Sequence, residues 1–337
     1  MPGVGCLDKD CALTSADVTQ DLSPVEAIVG EELARADRAL ASVAPVLGHL
    51  LANSGNALVS DAIVARVRGM LNDLAHQLTS RLLTSEDPND TEQADALDTL
   101  SDQLAADTAI LTYLHAAAME SLLAERLYQA ASIDPVLTPL WQELVASQDV
   151  GTGETAMQAL AAQSRFLQAQ SRMQHPLDEL PADVLERALR IWVRATPVDR
   201  EPEVSAAMRA IKLDYDEAET RLGLIARLVG TMRSGIIAAL EIEHAGLALF
   251  ASALAQRSGQ TRDRAILACH ENQAMRMAVS LRAAGLEGMA VERQLVIFGP
   301  NVGVSTKVGR LSVEGARDLL SVSQLEASNL GLAERSL

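Results

Sequence analysis

Residues 60–83 read SDAIVARVRGMLNDLAHQLTSRLL, and within them Ile63, Val67, Met70, Leu71, Leu74, Leu78 and Leu82 recur at gaps of three and four. At 3.6 residues per turn this spacing gathers the apolar side chains into one stripe, so the segment predicts an amphipathic helix with its stripe against a core. Upstream, Ser23-Pro24-Val25-Glu26 combines a capping Ser, a Pro preset for a first helical turn and a Glu three after the cap. That predicts a helix start, with a bend or stop before Pro45 and a turn at residues 53–56.

Downstream, residues 85–90 read as a loop, and a pattern from about 92 to 132 predicts one long helix carrying Leu97, Leu100, Leu104, Leu111, Leu114, Ala118 and Leu122 on one face. Asp134-Pro135 is expected to start a short helix bearing Trp141, which Gly151 and Gly153 break. Further helices are expected near 154–174, 182–195, 203–213, 216–257 and 313–333. Gly259 suits a left-handed C-terminal position, and Thr261 suits the cap of the helix after it. Gly285 and Gly288 punctuate two shorter helices. Leu295-Val296-Ile297-Phe298 would suit a strand, but Gly299-Pro300 is a normal helix stop, so helix is the simpler reading.

Composition points the same way. Of the 337 residues 48% are hydrophobic and 2% aromatic, so cores must be filled by Leu, Ala, Val, Ile and Met. Ala and Leu favour helices, whereas strands favour β-branched and aromatic residues. The fold class expected is all-α: a helical bundle, or an irregular HEAT-like stack of helix pairs with no fixed-period repeat. The length allows two domains. We expect a flexible leader over 1–21, an acidic helical domain over 22–196 and a near-neutral one over 203–337.

Charge separates those segments. Residues 1–196 hold 12 Lys and Arg against 28 Asp and Glu, while residues 197–337 hold 16 against 17, within a total of −17. The first segment should repel DNA, RNA and anionic lipid, and no basic stripe marks a nucleic-acid interface. The three cysteines, Cys6, Cys11 and Cys269, have neither disulfide-framework nor zinc-knuckle spacing. Residues 1–21 lack the basic start and apolar run of a signal peptide, and the uncharged stretch 39–60 is too polar for a membrane span. A cytoplasmic protein is expected.

Two stretches resemble a bacterial family of unknown function described as HEAT-like helical domains. One is AMQALAAQSRFLQAQSRMQHPLDELPADVLERAL at 156–189. The other is FASALAQRSGQTRDRAILACHENQAMRMAVSLRAAGLEGMAVERQLVIF at 250–298, most of all its Arg-Ala-Ala-Gly-Leu run at 282–286. Together they cover about a quarter of the chain. The resemblance implies α-helical repeats and no established activity, and it assigns no functional residue.

Four groups of residues invite chemistry. Glu241 and His244 have the Glu-x-x-His spacing of di-iron helices, but Asp73-Leu-Ala-His76 is the nearest second copy, and carboxylates such as Glu120 and Glu125 would have to complete a centre. Exposed carboxylates beside one partly packed His explain the motif more simply. Cys269-His270-Glu271 is similar to a phospho-acceptor helix, without any glycine-rich ATP domain beside it. The glycine-dense run 299–309 lacks the Gly-Lys-[Ser/Thr] order of a phosphate loop, since Ser305 and Thr306 precede Lys307. Arg257, Arg262 and Arg264 surround the Gly259 turn and would suit an acidic partner, unless neighbouring acids neutralise them.

The leading expectation is therefore a non-enzymatic helical scaffold or regulator that binds another protein, with no catalytic residue and no cofactor. A ferritin-like metal bundle and a histidine phosphotransfer protein are the alternatives.

Overall fold

The structure is a computed structural model that describes residues 24–43, 46–47, 61–82, 91–299 and 308–333. The expected leader, Ser23 of the capping box, the bend at Pro45, the turn at 53–56, the loop at 85–90 and residues 300–307 of the glycine-dense run lie outside the described residues.

Among the described residues the fold is all-α, without a strand. Helix α1 spans Pro24–Ala41 and α2 spans Asp61–Ser80. In α2, Ile63, Val67, Met70, Leu71, Leu74 and Leu78 are buried, as their spacing predicts. The long pattern after it is two helices, α3 (Thr91–Ala105) and α4 (Thr108–Ala131). The correction has a local cause. Asp107 turns out of helical geometry, and its carboxylate accepts the N–H groups of Ala109 and Ile110 at 2.9 and 3.1 Å, capping α4.

The segment after Asp134 also differs from expectation. The Asp134 carboxylate holds a turn through Val136 and Leu137, and the short helix α5 starts later, at Pro139–Val145. Gly151 and Gly153 do not break a helix but lie in the first turn of α6 (Val150–Ser171), which Asp149 caps. Helix α7 (Ala182–Ala195) matches its expected bounds, and α8 spans Glu201–Asp214.

The single helix expected over 216–257 is also subdivided. Glu217–Glu219 is a 3-10 turn, α9 spans Arg221–Thr231, Arg233–Leu240 is a 3-10 stretch, and α10 spans Ile242–Ser258. Thr220 caps α9, and Gly246 interrupts α10 at φ 70° and ψ 165°. Gly259 ends α10 in the left-handed region and Thr261 caps α11 (Arg262–Ala268), both as expected. Among the described residues three further helices follow: α12 (Ala274–Ala283), α13 (Gly288–Phe298) and α14 (Val313–Ala333). Residues 295–298 are therefore helical.

One contiguous apolar core draws on helices from both 22–196 and 203–337. Helix α4 sits at its middle, touching α2, α3, α6, α7, α10, α11 and α13. It is buried around most of its circumference, and Ala116, Ala117 and Ala118 let neighbours approach closely. A solenoid's repeats touch only their neighbours, whereas α4 gathers elements from distant parts of the chain, so the contacts are those of a bundle. At one side α1 packs on α12 and α14, and Asp37 forms a buried ion pair with Arg276. Among the described residues no single helix is long and apolar enough to cross a membrane.

Candidate functional site

Glu120 is the lone acidic residue on the inner face of α4 and is 2% exposed. Two guanidiniums converge on it. Arg221, the first residue of α9, donates Nη1 to Oε1 at 2.7 Å and Nη2 to Oε2 at 3.0 Å. Arg262, the first residue of α11, donates Nη1 to Oε2 at 2.8 Å and Nη2 to Oε1 at 2.7 Å. Burial alone would raise the Glu120 pKa, but the charges and hydrogen bonds of the two arginines outweigh it and hold the carboxyl well below its usual range.

The arginines are themselves positioned. Arg221 Nη1 also reaches Gln163 Oε1 on α6 at 2.9 Å, and its guanidinium lies 3.6 Å above the Phe166 ring centroid. Arg262 Nε donates to Ser252 on α10 at 2.9 Å. Four helices are thus tied to one carboxylate. The trio carries a net positive charge, and the partly buried Asp263 beside it has its pKa raised to about 6, mainly by burial and further by Glu120, against the pull of Arg262.

Beyond Arg221 lies a cavity of about 190 Å³ bounded by Tyr113, Phe166, His175 and Glu179, with Arg165 and Asp178 at its mouth. The Tyr113 hydroxyl meets His175 Nε2 at 2.9 Å, and His175 Nδ1 lies 3.0 Å from the Pro176 carbonyl. A carbonyl only accepts, so Nδ1 carries the proton and Nε2 accepts from Tyr113. Burial lowers the His175 pKa to about 4, and the ring is neutral. The loop bearing His175 is clamped by α2: Asp73 accepts the His175 N–H at 3.0 Å and Gln77 accepts the Leu177 N–H at 2.8 Å.

A second, larger cleft of about 540 Å³ opens beside Gly259, between the end of α10 and α14. Arg257 and Arg317 line it. Their Nε atoms donate to successive carbonyls at the end of α12, Ala284 at 3.2 Å and Ala283 at 3.1 Å. Gln256, Ser258, Asp318 and Ser321 complete its polar lining.

The three arginines expected around Gly259 therefore have different surroundings. Arg257 faces the cleft, while Arg262 is turned inward onto Glu120. Arg264 is half-buried, with Nη1 lacking a hydrogen-bond partner among the described residues. Glu241 and His244 do not share a helix face. Glu241 precedes α10 in extended geometry, and His244 sits 3.5 Å from Glu143. Asp73 is engaged with the His175 loop and Glu120 with its arginines. Among the described residues no three His, Cys, Asp or Glu side chains are grouped to hold a metal. His270 is not within a helix but caps the short turn Glu271–Gln273, accepting the Asn272 N–H on Nδ1 at 3.2 Å. Cys269 is buried, and burial raises its thiol pKa.

Sequence reasoning missed Arg221, Arg317, Tyr113 and His175. Glu120 carried a signal, a single carboxylate on the inner stripe of an Ala- and Leu-rich run, but its partners lie 101 and 142 positions away. No protein-family model, no curated protein and no solved structure matches the chain.

Proposed function

We propose that the protein is a non-enzymatic interaction protein, a scaffold or regulator that docks an acidic segment of a partner protein in the cleft beside Gly259. The observation that carries this reading is the fixed pair Arg257 and Arg317, whose Nε atoms are spent on Ala284 and Ala283 and which form no ion pair among the described residues. Tethering through Nε leaves the Nη amino groups for a visitor and reduces the ordering cost of binding a carboxylate. Residues 197–337, which supply both arginines, are near neutral and so add little repulsion of their own toward an acidic partner. A cytoplasmic location belongs to the proposal, on the odd cysteine count.

The test is a pull-down from the native cell with the full chain and its Arg257→Glu/Arg317→Glu variant, after circular dichroism shows both folded. The wild type should capture a partner with an acidic segment, weaken as salt rises, and lose it in the variant. An unchanged set of captured proteins in the variant would refute the cleft as the docking site.

A further inference from the structure

The cavity beside Arg221 is independent of that cleft, and the groups around it are unequally spent. Both Nη atoms of Arg221 are engaged by Glu120 and Gln163, while none of its hydrogen bonds uses Nε. The Arg221 backbone N–H donates to Glu179 Oε2 at 2.7 Å, which leaves Oε1. Tyr113 donates its proton to His175, with the Glu179 carbonyl also 3.4 Å from its hydroxyl, and keeps an acceptor lone pair. At the mouth, Arg165 and Asp178 are exposed and form no ion pair among the described residues. Acceptors therefore dominate the floor, and one unspent guanidinium stands at the entrance.

We propose that this cavity binds a free α-amino acid, with its ammonium on Glu179 and Tyr113 and its carboxylate on Arg165. Three features select that class. At about 190 Å³ the space falls below the roughly 300–1,000 Å³ of pockets for drug-sized ligands, which favours a small metabolite. Arg165 and Arg221 are balanced by Asp178 and Glu179, so the lining offers a polyanion such as a nucleotide no net attraction, while a zwitterion finds both of its poles matched. The interior is rigid: Tyr113, His175 and Arg221 are each 5% exposed or less and hydrogen-bonded, so little ordering is left for the ligand to impose.

The experiment is isothermal titration of the full-length protein with each proteinogenic amino acid. The amine lacking the carboxylate and the N-acetyl acid lacking the ammonium serve as matched probes. At least one amino acid should bind with one-to-one stoichiometry at millimolar concentration or tighter, and each truncated probe should bind about tenfold more weakly or worse. Arg165→Ala, which removes an exposed side chain, should leave the melting temperature unchanged and weaken binding by about tenfold or more. The absence of binding by every amino acid, equal binding of the truncated probes, or unchanged affinity in Arg165→Ala would each overturn the assignment.

Discussion

Glu120 and Arg221 stand 101 positions apart in the chain and meet inside the bundle as a two-pronged pair at 2.7 and 3.0 Å, with Arg262 closing on the same carboxylate from the other side. Desolvation makes such a group costly unless every charge is answered, so removing one member should hurt more than removing all three. Glu120→Ala leaves two cations facing each other and should destabilise by about 3–5 kcal/mol in urea denaturation. Replacing Glu120, Arg221 and Arg262 together by Leu or Met should recover much of that loss. A triple variant weaker than the single would show the network to be a net source of stability.

The protein should lose stability in mild acid. Burial lowers the pKa values of His115 and His175 to about 4, from 6.5 when exposed; for His115 the nearby His270 adds to the effect. The unfolded chain therefore takes up protons near pH 6.5 that the folded chain refuses until about pH 4. Their contribution is complete above that window and falls through it, by up to about 3 kcal/mol for each ring. Urea midpoints measured at pH 7 and pH 4.5 should differ accordingly, and His175→Gln should make the fall shallower. Equal midpoints would contradict the burial of both rings.

Asp263 works in the opposite direction. Its carboxyl is raised to about 6 from 3.8, so the folded state takes up this proton first and gains stability as pH falls from 6 toward 3.8. Asp263→Asn should consequently raise the melting temperature at pH 7 and steepen the acid loss. A lower melting temperature at neutral pH would mean that its attraction to Arg262 outweighs its burial.

Gly246 occupies a backbone region that side chains rarely enter, and a Cβ there would lie 2.7 Å from Thr138 Cγ2. Gly246→Ala should destabilise by about 1–3 kcal/mol from the backbone alone, and by more from the collision. Adding Thr138→Ser removes the methyl group and should return only the collision part. Complete rescue would show that the backbone conformation costs nothing.

Leu74 is fully buried in the stripe of α2, so Leu74→Ala should cost about 2–5 kcal/mol. An unchanged denaturation midpoint would contradict that burial.

Much of the helical order was legible because its causes are local. The Leu71, Leu74 and Leu78 spacing, the bounds of α7 and the left-handed Gly259 depend on residues within one or two turns. The breaks were harder to read. Apolar periodicity runs through Asp107 without interruption, and only the competition of its carboxylate for Ala109 and Ile110 parts α3 from α4. Glu241 and His244 looked like one helix face because nothing nearby in sequence reveals that Glu241 stays extended. The buried network was beyond reach for a different reason. Arg221 and Gln163 are 58 positions apart, and Arg262 and Glu120 are 142 apart, so no spacing rule connects them.

The pairing of Asp37 with Arg276 sets an order of events during synthesis. Helix α1 leaves the ribosome well before α12 and α14, yet those two helices match its apolar face and its carboxylate. Until then the nascent chain exposes Val29 and Leu33, and Asp37 stays hydrated. Closure of the fold is therefore a late, long-range event whose loop-closure entropy spans most of the chain. A ribosome stalled before residue 276 would hold a chain whose helix α1 has nowhere to dock, a period in which holding chaperones would find their substrate.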